Sequence, residues 1–123
     1  MIYSHIKGVE VESTFSECND YRYELSIEKT DSQGTETVCV IMQNPSVAND
    51  EIADKSIQFL EKLIFHKCYP QFSKVKKIVI VNQFAYVQTN GFTGIDKHIG
   101  SENDKYITQA VNNADIILVA WGR

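Results

Sequence analysis

Apolar residues occur along the chain in two patterns that predict β-strands. From Tyr21 to Lys29, Tyr23, Leu25 and Ile27 alternate with polar neighbours, which is the period of a half-buried strand. Three later segments are nearly continuous in apolar residues and rich in β-branched ones, as in strands covered on both faces: Thr37–Met42, Lys77–Tyr86 and Asp115–Gly122. The mixed segment Lys7–Thr14 is compatible with a further edge strand.

Two segments carry the three- and four-residue spacing of amphipathic helices. The first follows Asn49 and Asp50, either of which is suited to cap a helix, and its apolar face comprises Ile52, Ala53, Ser56, Ile57, Leu60, Leu63 and Ile64. The second extends from Ser101 to Ala114. Ser101 is predicted to cap it, with Asp104 three residues later in a capping-box-like arrangement. Its apolar side comprises Tyr106, Ile107, Ala110 and Val111.

The order strand, strand, helix, strand, helix, strand predicts an α/β fold. Turn residues around Gly34 predict that the first two strands form an antiparallel hairpin. This hairpin is expected to lead into a parallel βαβαβ core, with helices packed on the sheet as a three-layer sandwich. Residues 1–123 are predicted to form a single domain.

Polar and aromatic side chains follow each of the three predicted parallel strands. These groups are Asn44-Pro45-Ser46, Asn82-Gln83-Phe84 and Trp121-Gly122-Arg123. The carboxyl ends of parallel strands lie at one edge of a sheet, where open α/β folds bind ligands. Amides offer donors and an acceptor to the edge of a heterocycle, and aromatic rings offer stacking surface. A nucleobase or another flat polar ligand is therefore expected in a crevice there.

Composition restricts the class of partner. The net charge of −4 and the pI of about 5.3 disfavour a stand-alone binder of duplex nucleic acid and favour a small ligand or a protein. Cys18, Cys39 and Cys68 lack metal-like spacing, so reduced thiols in a cytoplasmic protein are predicted, with no metal or cofactor. No segment has the length and apolarity of a membrane span. Among the histidines, only His98, in a loop, is a candidate acid or base.

Four segments, in this order, resemble motifs of the domain-of-unknown-function 1643 family of bacteria and their phages. They are MQNPSVANDEIADKSI, IVNQFAY, IGSENDKYI and ADIILVAWG. The resemblance covers most of the chain from Arg22 onward. The chain departs from the family pattern at Asn49-Asp50, where the acidic residue comes one position later, and at Gln83, which replaces a leucine. It also stops shortly after the last motif, so the expectation is either a version shortened at the C-terminus or a sequence from which C-terminal residues are missing.

A more distant resemblance is to the mismatch-specific branch of the uracil-DNA glycosylase superfamily, through Gln43-Asn44-Pro45-Ser46 and Asn82. It implies that Asn44 orients a water for attack on a glycosidic carbon, with Asp50 as an acidic neighbour. Asn82 would pair with the edge of an extruded base. Pro45 would stiffen the loop and Ser46 would cap or bind. Phe84 or Tyr86 would stack on the base. Independently of this resemblance, Asn103 and Asp104 are candidates to face the same crevice, and Trp121, at a strand end, is a candidate ligand platform.

Each of these residues also has a structural explanation. Asn44-Pro45-Ser46 is a suitable turn between strand and helix. Asp50, Asp54 and Asp104 are suited to helix starts, Trp121 to the core, and Arg22 to the surface of a hairpin strand. Three function classes therefore stay open: a glycosidase acting on a nucleobase–sugar bond, a non-catalytic nucleotide-binding protein, and a structural subunit completed by a partner chain or by a second copy.

Overall fold

The computed structural model describes residues 3–88 and 92–120. Within these residues the chain forms five strands, two α-helices and two single-turn 3₁₀ helices. The strands are β1 (Val9–Phe15), β2 (Arg22–Lys29), β3 (Glu36–Met42), β4 (Val75–Asn82) and β5 (Ile116–Val119). The α-helices are α1 (Lys55–Phe65) and α2 (Asn103–Asn113), and the 3₁₀ helices are Pro70–Phe72 and Asp96–His98.

The sheet is mixed, with the strand order β1-β2-β4-β3-β5. As predicted, β3, β4 and β5 are parallel. The predicted hairpin between β2 and β3 is wrong, because β2 pairs antiparallel with β1 and with β4. Strand β4 lies between β2 and β3, where both of its apolar faces are covered. The α/β class is thus confirmed as a mixed five-stranded sheet with two helices in the described part of the chain.

The two helices contribute to different hydrophobic clusters. One cluster joins α1 to Leu25, Ile27, Val38, Val40, Ile78 and Ile80 of the sheet. The other joins Ala110 of α2 to Cys39, Val79 and Val81, with Ile107 and Val111 packed beside them. Because residues adjacent along β3 and β4 enter different clusters, the continuous apolar runs of the sequence correspond to strands with two buried faces.

Strand β5 is less buried than its apolar sequence predicted. It pairs with β3 on one side and lies at the end of the described sheet. Ile117 is 50% exposed and Val119 is 55% exposed, whereas Ile116 and Leu118 pack against the α1-side cluster. The prediction of a third fully buried strand was therefore wrong.

Both helices begin at residues other than those predicted. Asp54 caps α1, accepting a hydrogen bond from the Ile57 N–H at 2.9 Å. Asn49 instead forms a tight turn, in which its side-chain oxygen accepts from the N–H groups of Glu51 and Ile52. Helix α2 follows Glu102 without a side-chain cap, so the predicted capping by Ser101 was also wrong.

An irregularity in β2 alters which face its first residues occupy. Thr14 of β1 lies opposite Glu24, but Phe15 lies opposite Arg22, so Tyr23 is an extra residue in the register. Such a bulge reverses the alternation of side chains beyond it. Tyr23 consequently stacks on Tyr106 of α2, although Leu25, two residues later, belongs to the cluster of α1.

In the residues that the structure describes, no helix has the length and apolarity needed to cross a membrane. The three cysteines are free thiols, and Cys39 is buried in the core as predicted.

Candidate functional site at the carboxyl edge of the sheet

The carboxyl ends of β3 and β4 meet at one edge of the sheet. Met42, the last residue of β3, lies opposite Asn82, the last residue of β4. Strand β2 runs antiparallel to β4, so its first residue, Arg22, belongs to the same edge. We call this region the carboxyl edge. It gathers segments that are far apart in the sequence, as binding sites of open sheets do.

Asn44 joins the two loops that leave the carboxyl edge. Its Nδ2 donates to the carbonyl of Pro45 at 3.1 Å and to the carbonyl of Gln88 at 2.7 Å. The N–H of Gln88 donates to the Pro45 carbonyl at 3.0 Å. Pro45 is buried, and Asn44 and Ser46 are half-buried. The amide nitrogen of Asn44 therefore has a structural role, which ties the loop after β3 to the loop after β4.

Asn82 is fully buried and contacts an equally buried arginine. The Arg22 Nη2 donates to the Asn82 Oδ1 at 3.4 Å, and its Nη1 donates to the Ala48 carbonyl at 3.1 Å. Arg22 is 1% exposed, so its predicted place on the surface was wrong. Among the described residues, neither the Nε of Arg22 nor the Nδ2 of Asn82 has a hydrogen-bond partner. Buried donors are normally paired, so this position can receive a further acceptor.

Burial makes the charge of Arg22 easier to lose than that of an exposed arginine. Desolvation lowers the pKa of its guanidinium to about 10, and the nearby carboxylate of Asp54 acts in the opposite direction. The side chain is still protonated at neutral pH. The carboxylate of Asp54 also caps α1, so a cation and an anion are held close to the loop that contains Asn44.

Asn103, the first residue of α2, fixes the end of β4 from another side. Its Nδ2 donates to the carbonyls of Asn82 at 2.8 Å and Gln83 at 3.2 Å. Its Oδ1 is buried and has no partner within the described ranges. Asp104, the predicted ligand residue beside it, is exposed on the first turn of α2.

Asp50 is exposed and turned towards another strand. Its Oδ1 accepts a hydrogen bond from the Ser13 hydroxyl of β1 at 3.4 Å. Strand β1 is separated from β3 by β2 and β4. This contact differs from those of Asn44, the residue with which Asp50 was predicted to act. Trp121, another predicted ligand residue, lies outside the described residues.

Seven aromatic rings of the described residues form a continuous row at the carboxyl edge. Successive ring centroids are 4.6 to 6.5 Å apart, and the order is Phe84, Phe92, His98, Tyr86, Tyr21, Tyr23, Tyr106. We call this set the aromatic row. His98 stacks on Tyr86 at 4.6 Å, and its Nδ1 accepts from the Ile95 N–H at 3.3 Å. The predicted stacking residues Phe84 and Tyr86 both belong to this row, in which Phe92 and His98 lie between them.

A groove of about 830 Å³ opens at the Tyr106 end of the aromatic row. We call it the tyrosine groove; it is lined by Tyr21, Tyr23 and Tyr106, by residues 15–18 and by residues 96–102 except His98. Gly100 has a φ of +92°, and a Cβ there would come within 3.0 Å of Tyr23 and 3.1 Å of Tyr21. A side chain at this position would therefore press on both rings.

A second buried polar cluster joins the N-terminal residues to α1 and to Asn49. Glu61 of α1 is fully buried; its Oε2 contacts the His5 Nδ1 at 2.5 Å, and its Oε1 accepts from the Ile6 N–H at 3.0 Å. The His5 Nε2 donates to the Asn49 carbonyl at 2.7 Å. Burial lowers the pKa of His5, but the hydrogen bond and charge of Glu61 outweigh it, so the pKa is raised above 6.5 overall. This cluster fastens residues 3–6 to α1.

Sequence reasoning missed several residues of these clusters. Tyr21 and Tyr106 are separated by most of the chain, and their approach follows from the packing of α2 on the bulged end of β2. Asn103 was not missed: it carried a signal in its position beside Asp104, and both were candidates to face the crevice, although only Asn103 is buried. Glu61 carried a clearer one, because it follows Ile57 by four residues and precedes Ile64 by three, which places it on the apolar face of α1.

The family model described as Protein of unknown function (DUF1643) matches residues 22–123, which is most of the chain. No curated protein and no solved structure matches. The comparisons therefore support the first resemblance drawn from the sequence and give no support to the resemblance to uracil-DNA glycosylases.

Proposed function

Because the chain belongs to the DUF1643 family, whose description gives no activity, we propose from its geometry that it binds a nucleobase or a nucleotide at the carboxyl edge of the sheet. The observation that carries the proposal is the aromatic row, which ends in an open groove at the place where the end of β1, the start of β2 and α2 meet. Aromatic side chains are the usual stacking partners of bases, and each stacked base contributes about 1–3 kcal/mol.

The size of the tyrosine groove supports a ligand of this class. Its volume of about 830 Å³ lies in the range of about 300–1,000 Å³ that is typical of small-molecule sites. Tyr23 and Tyr106 are parallel within 2° and their centroids are 5.3 Å apart, so they stack on each other as a rigid pair that forms one wall of the groove. A planar heterocycle that extends this stack gains contact area without requiring the two side chains to lose further rotational freedom.

Buried polar atoms supply a second reason to expect a polar ligand nearby. In the described part of the chain, Arg22 Nε, Asn82 Nδ2 and Asn103 Oδ1 lack partners. Leaving such a group unpaired costs about 1–3 kcal/mol. A bound water or a polar ligand that reached these atoms would recover part of that cost. The three atoms offer two donors and one acceptor, which is a pattern that a base edge can complement.

Hydrolysis of a base–sugar bond is a second proposal, and Asn44 is the residue that it needs. The fixed position of the Asn44 amide, held by two carbonyls, favours it, because a group that orients water must itself be rigid. In this mechanism the Asn44 side-chain oxygen accepts a hydrogen bond from the attacking water, and Asp50 is the acidic neighbour. Release of free base from a modified or mismatched oligonucleotide would demonstrate the activity, and Asn44→Ala should abolish it.

A third proposal is that another chain completes the sheet at β5. Ile117 and Val119 are half exposed on this terminal strand of the described sheet, and unpaired strand edges favour pairing with another chain. The other chain is either a different protein or a second copy of this one, which would give a homo-oligomer. Sedimentation equilibrium distinguishes this structural role from the role in ligand binding. A stable monomer over a wide concentration range would contradict it.

The binding proposal includes finer statements about the fold and the location. We take the sheet to be the middle of a three-layer sandwich, since α1 and α2 contribute to different clusters. We take residues 1–123 to act as a single domain in the cytoplasm, where free thiols such as Cys18 and Cys68 stay reduced.

A thermal-shift panel of free bases, nucleosides, nucleotides and a short single-stranded oligonucleotide tests the proposal. A ligand at 100 times its Kd adds about 2.7 kcal/mol of stability, which corresponds to roughly 10 °C for a domain of this size. Tyr106→Leu should abolish the shift, because it removes the ring that extends the wall. Tyr69→Leu is the matched control, since Tyr69 is 46% exposed and lies outside the aromatic row. A panel without any shift would contradict the proposal.

A further inference from the structure

The charges around the tyrosine groove limit the kind of base that it can hold. Among the described residues that line it, Glu17, Asp96 and Glu102 carry carboxylates and Lys97 carries an ammonium. Lys105 lies 3.9 Å from Glu102, but both side chains are more than half exposed, so their pair is weak. The rim is therefore net negative, in a chain whose overall charge is also negative.

The start of α2 does not reverse this charge. A helix N-terminus attracts anions, and α2 begins beside the groove without a side-chain cap. However, Glu102 and Asp104 already supply negative charge to its first turn. A phosphate placed there would also be repelled by the carboxylates of Glu17 and Asp96, which line the same groove. The groove thus disfavours an anion and favours a cation.

The walls of the groove indicate an organic cation rather than a metal ion. No group of three His, Cys, Asp or Glu side chains suited to a metal occurs among residues 3–88 and 92–120. The walls are instead tyrosine rings, whose faces carry negative electrostatic potential and attract cations, with a gain that increases as water is excluded. Flat rings combined with nearby carboxylates suit a cation that is itself flat.

We infer that the tyrosine groove selects a positively charged nucleobase, of the kind produced by alkylation of a ring nitrogen, over the same base in its neutral form. The inference deepens the proposed function and rests on it. The face of the base stacks on the wall formed by Tyr23 and Tyr106. Its positive charge is stabilised both by the ring faces and by the three carboxylates of the rim. A neutral base gains only the stacking.

Gly100 is required for the shape of this site. Its positive φ permits the chain to turn between the 3₁₀ helix and α2. Because glycine has no Cβ, nothing at this position crowds Tyr23 and Tyr21, which a Cβ would approach to 3.0 and 3.1 Å. The rim residues on both sides of Gly100, Asp96 and Glu102, are thereby brought to the groove. Shape and charge are therefore provided by the same short segment.

Isothermal titration with adenosine, guanosine and their cationic, ring-N-methylated derivatives tests the inference. The titrations are made at a mildly acidic pH, at which the methylated bases keep their charge, and at one low ionic strength. We expect the methylated nucleosides to bind about fivefold more tightly or better, since even a partly exposed cation–π contact contributes about 0.5–1 kcal/mol before the carboxylates are counted. Added salt should reduce the difference between the two forms.

Two pairs of variants locate the effect. Glu102→Gln should lower affinity for the methylated nucleosides several-fold and leave the neutral ones unchanged, and Glu51→Gln, at an exposed position away from the groove, should change neither. Tyr106→Leu should lower affinity for both forms, with Tyr69→Leu as its control. Since Glu102 makes no capping hydrogen bond, Glu102→Gln is expected to fold even if Tyr106→Leu does not.

The outcomes separate this inference from the proposed function. Equal affinity for methylated and neutral nucleosides would overturn the inference and leave the base-binding proposal in place. Binding to neither form, with no shift in the wider panel, would overturn both. Selective binding that Glu102→Gln does not reduce would show that the cation is held elsewhere, and would also overturn the inference.

Discussion

Two buried polar clusters occur in the described residues, and they differ in how completely their hydrogen bonds are satisfied. Around Glu61, both carboxylate oxygens and both ring nitrogens of His5 have partners. Around Asn82, three buried polar atoms have none in the part of the chain that the structure describes. A satisfied cluster is complete without a ligand and serves to hold the fold together. An unsatisfied one is expected where another molecule completes the structure.

Glu61→Ala should have the largest effect on stability. It leaves the Ile6 N–H and the His5 ring without their partner and opens a cavity beneath α1, so we expect a loss of about 3–5 kcal/mol. Urea unfolding followed by circular dichroism measures this loss. Glu51→Ala, at an exposed position, serves as the control and should change the unfolding free energy by less than about 0.5 kcal/mol. A loss of under 1 kcal/mol for Glu61→Ala would contradict the structural role of the cluster.

Arg22→Met should cost much less, although Arg22 is as deeply buried as Glu61. Within the described ranges, the guanidinium has no carboxylate in hydrogen-bond contact and its Nε has no partner. Replacing it by an apolar side chain therefore removes a desolvated charge along with two modest hydrogen bonds. We expect a change of about 1 kcal/mol or less in the same urea assay, together with loss of stabilisation by ligand. A loss of unfolding free energy as large as that of Glu61→Ala would contradict the proposed difference between the two clusters.

The pH dependence of stability should be the smallest effect, and it should arise from the satisfied cluster. Because the pKa of His5 is raised above 6.5 in the folded state, its contribution is fully present below pH 6.5 and is lost as the pH rises through the folded pKa. The urea midpoint of the unmodified chain should decrease as the pH rises from 6.5 through the folded pKa of His5. The decrease should be smaller in His5→Asn. His66→Asn, at an exposed histidine, is the control and should leave the decrease unchanged.

The parts of the structure that depend on local pattern were predictable from the sequence. The apolar spacing of Ile57, Leu60 and Ile64 locates α1, and the β-branched runs locate the parallel strands. Asn82 was predicted to be a ligand-binding residue because it follows such a run, and it lies at the carboxyl edge. These inferences required only the periodicity of helices and strands and the geometry of parallel sheets.

The parts that depend on contacts between distant segments were not predictable. The insertion of β4 between β2 and β3 is a matter of topology, which the turn residues around Gly34 do not specify. The burial of Arg22 follows from the bulge at Tyr23, which leaves no pattern in a single sequence. The tyrosine groove needs residues 15–18, 96–102 and Tyr106 together, and no local signal connects them.

The N-terminal contacts also have a kinetic consequence. Tyr3 and Ala53 exchange two backbone hydrogen bonds, and His5 meets Glu61, so these contacts close loops of about fifty residues. Contacts of such long sequence separation generally form after the sheet and its helix have assembled. Contacts that are absent from the transition state affect the unfolding rate more than the folding rate. The contacts of residues 3–6 are therefore expected to slow unfolding and so to set the lifetime of the native state. They should have little effect on the folding rate, which other parts of the chain determine.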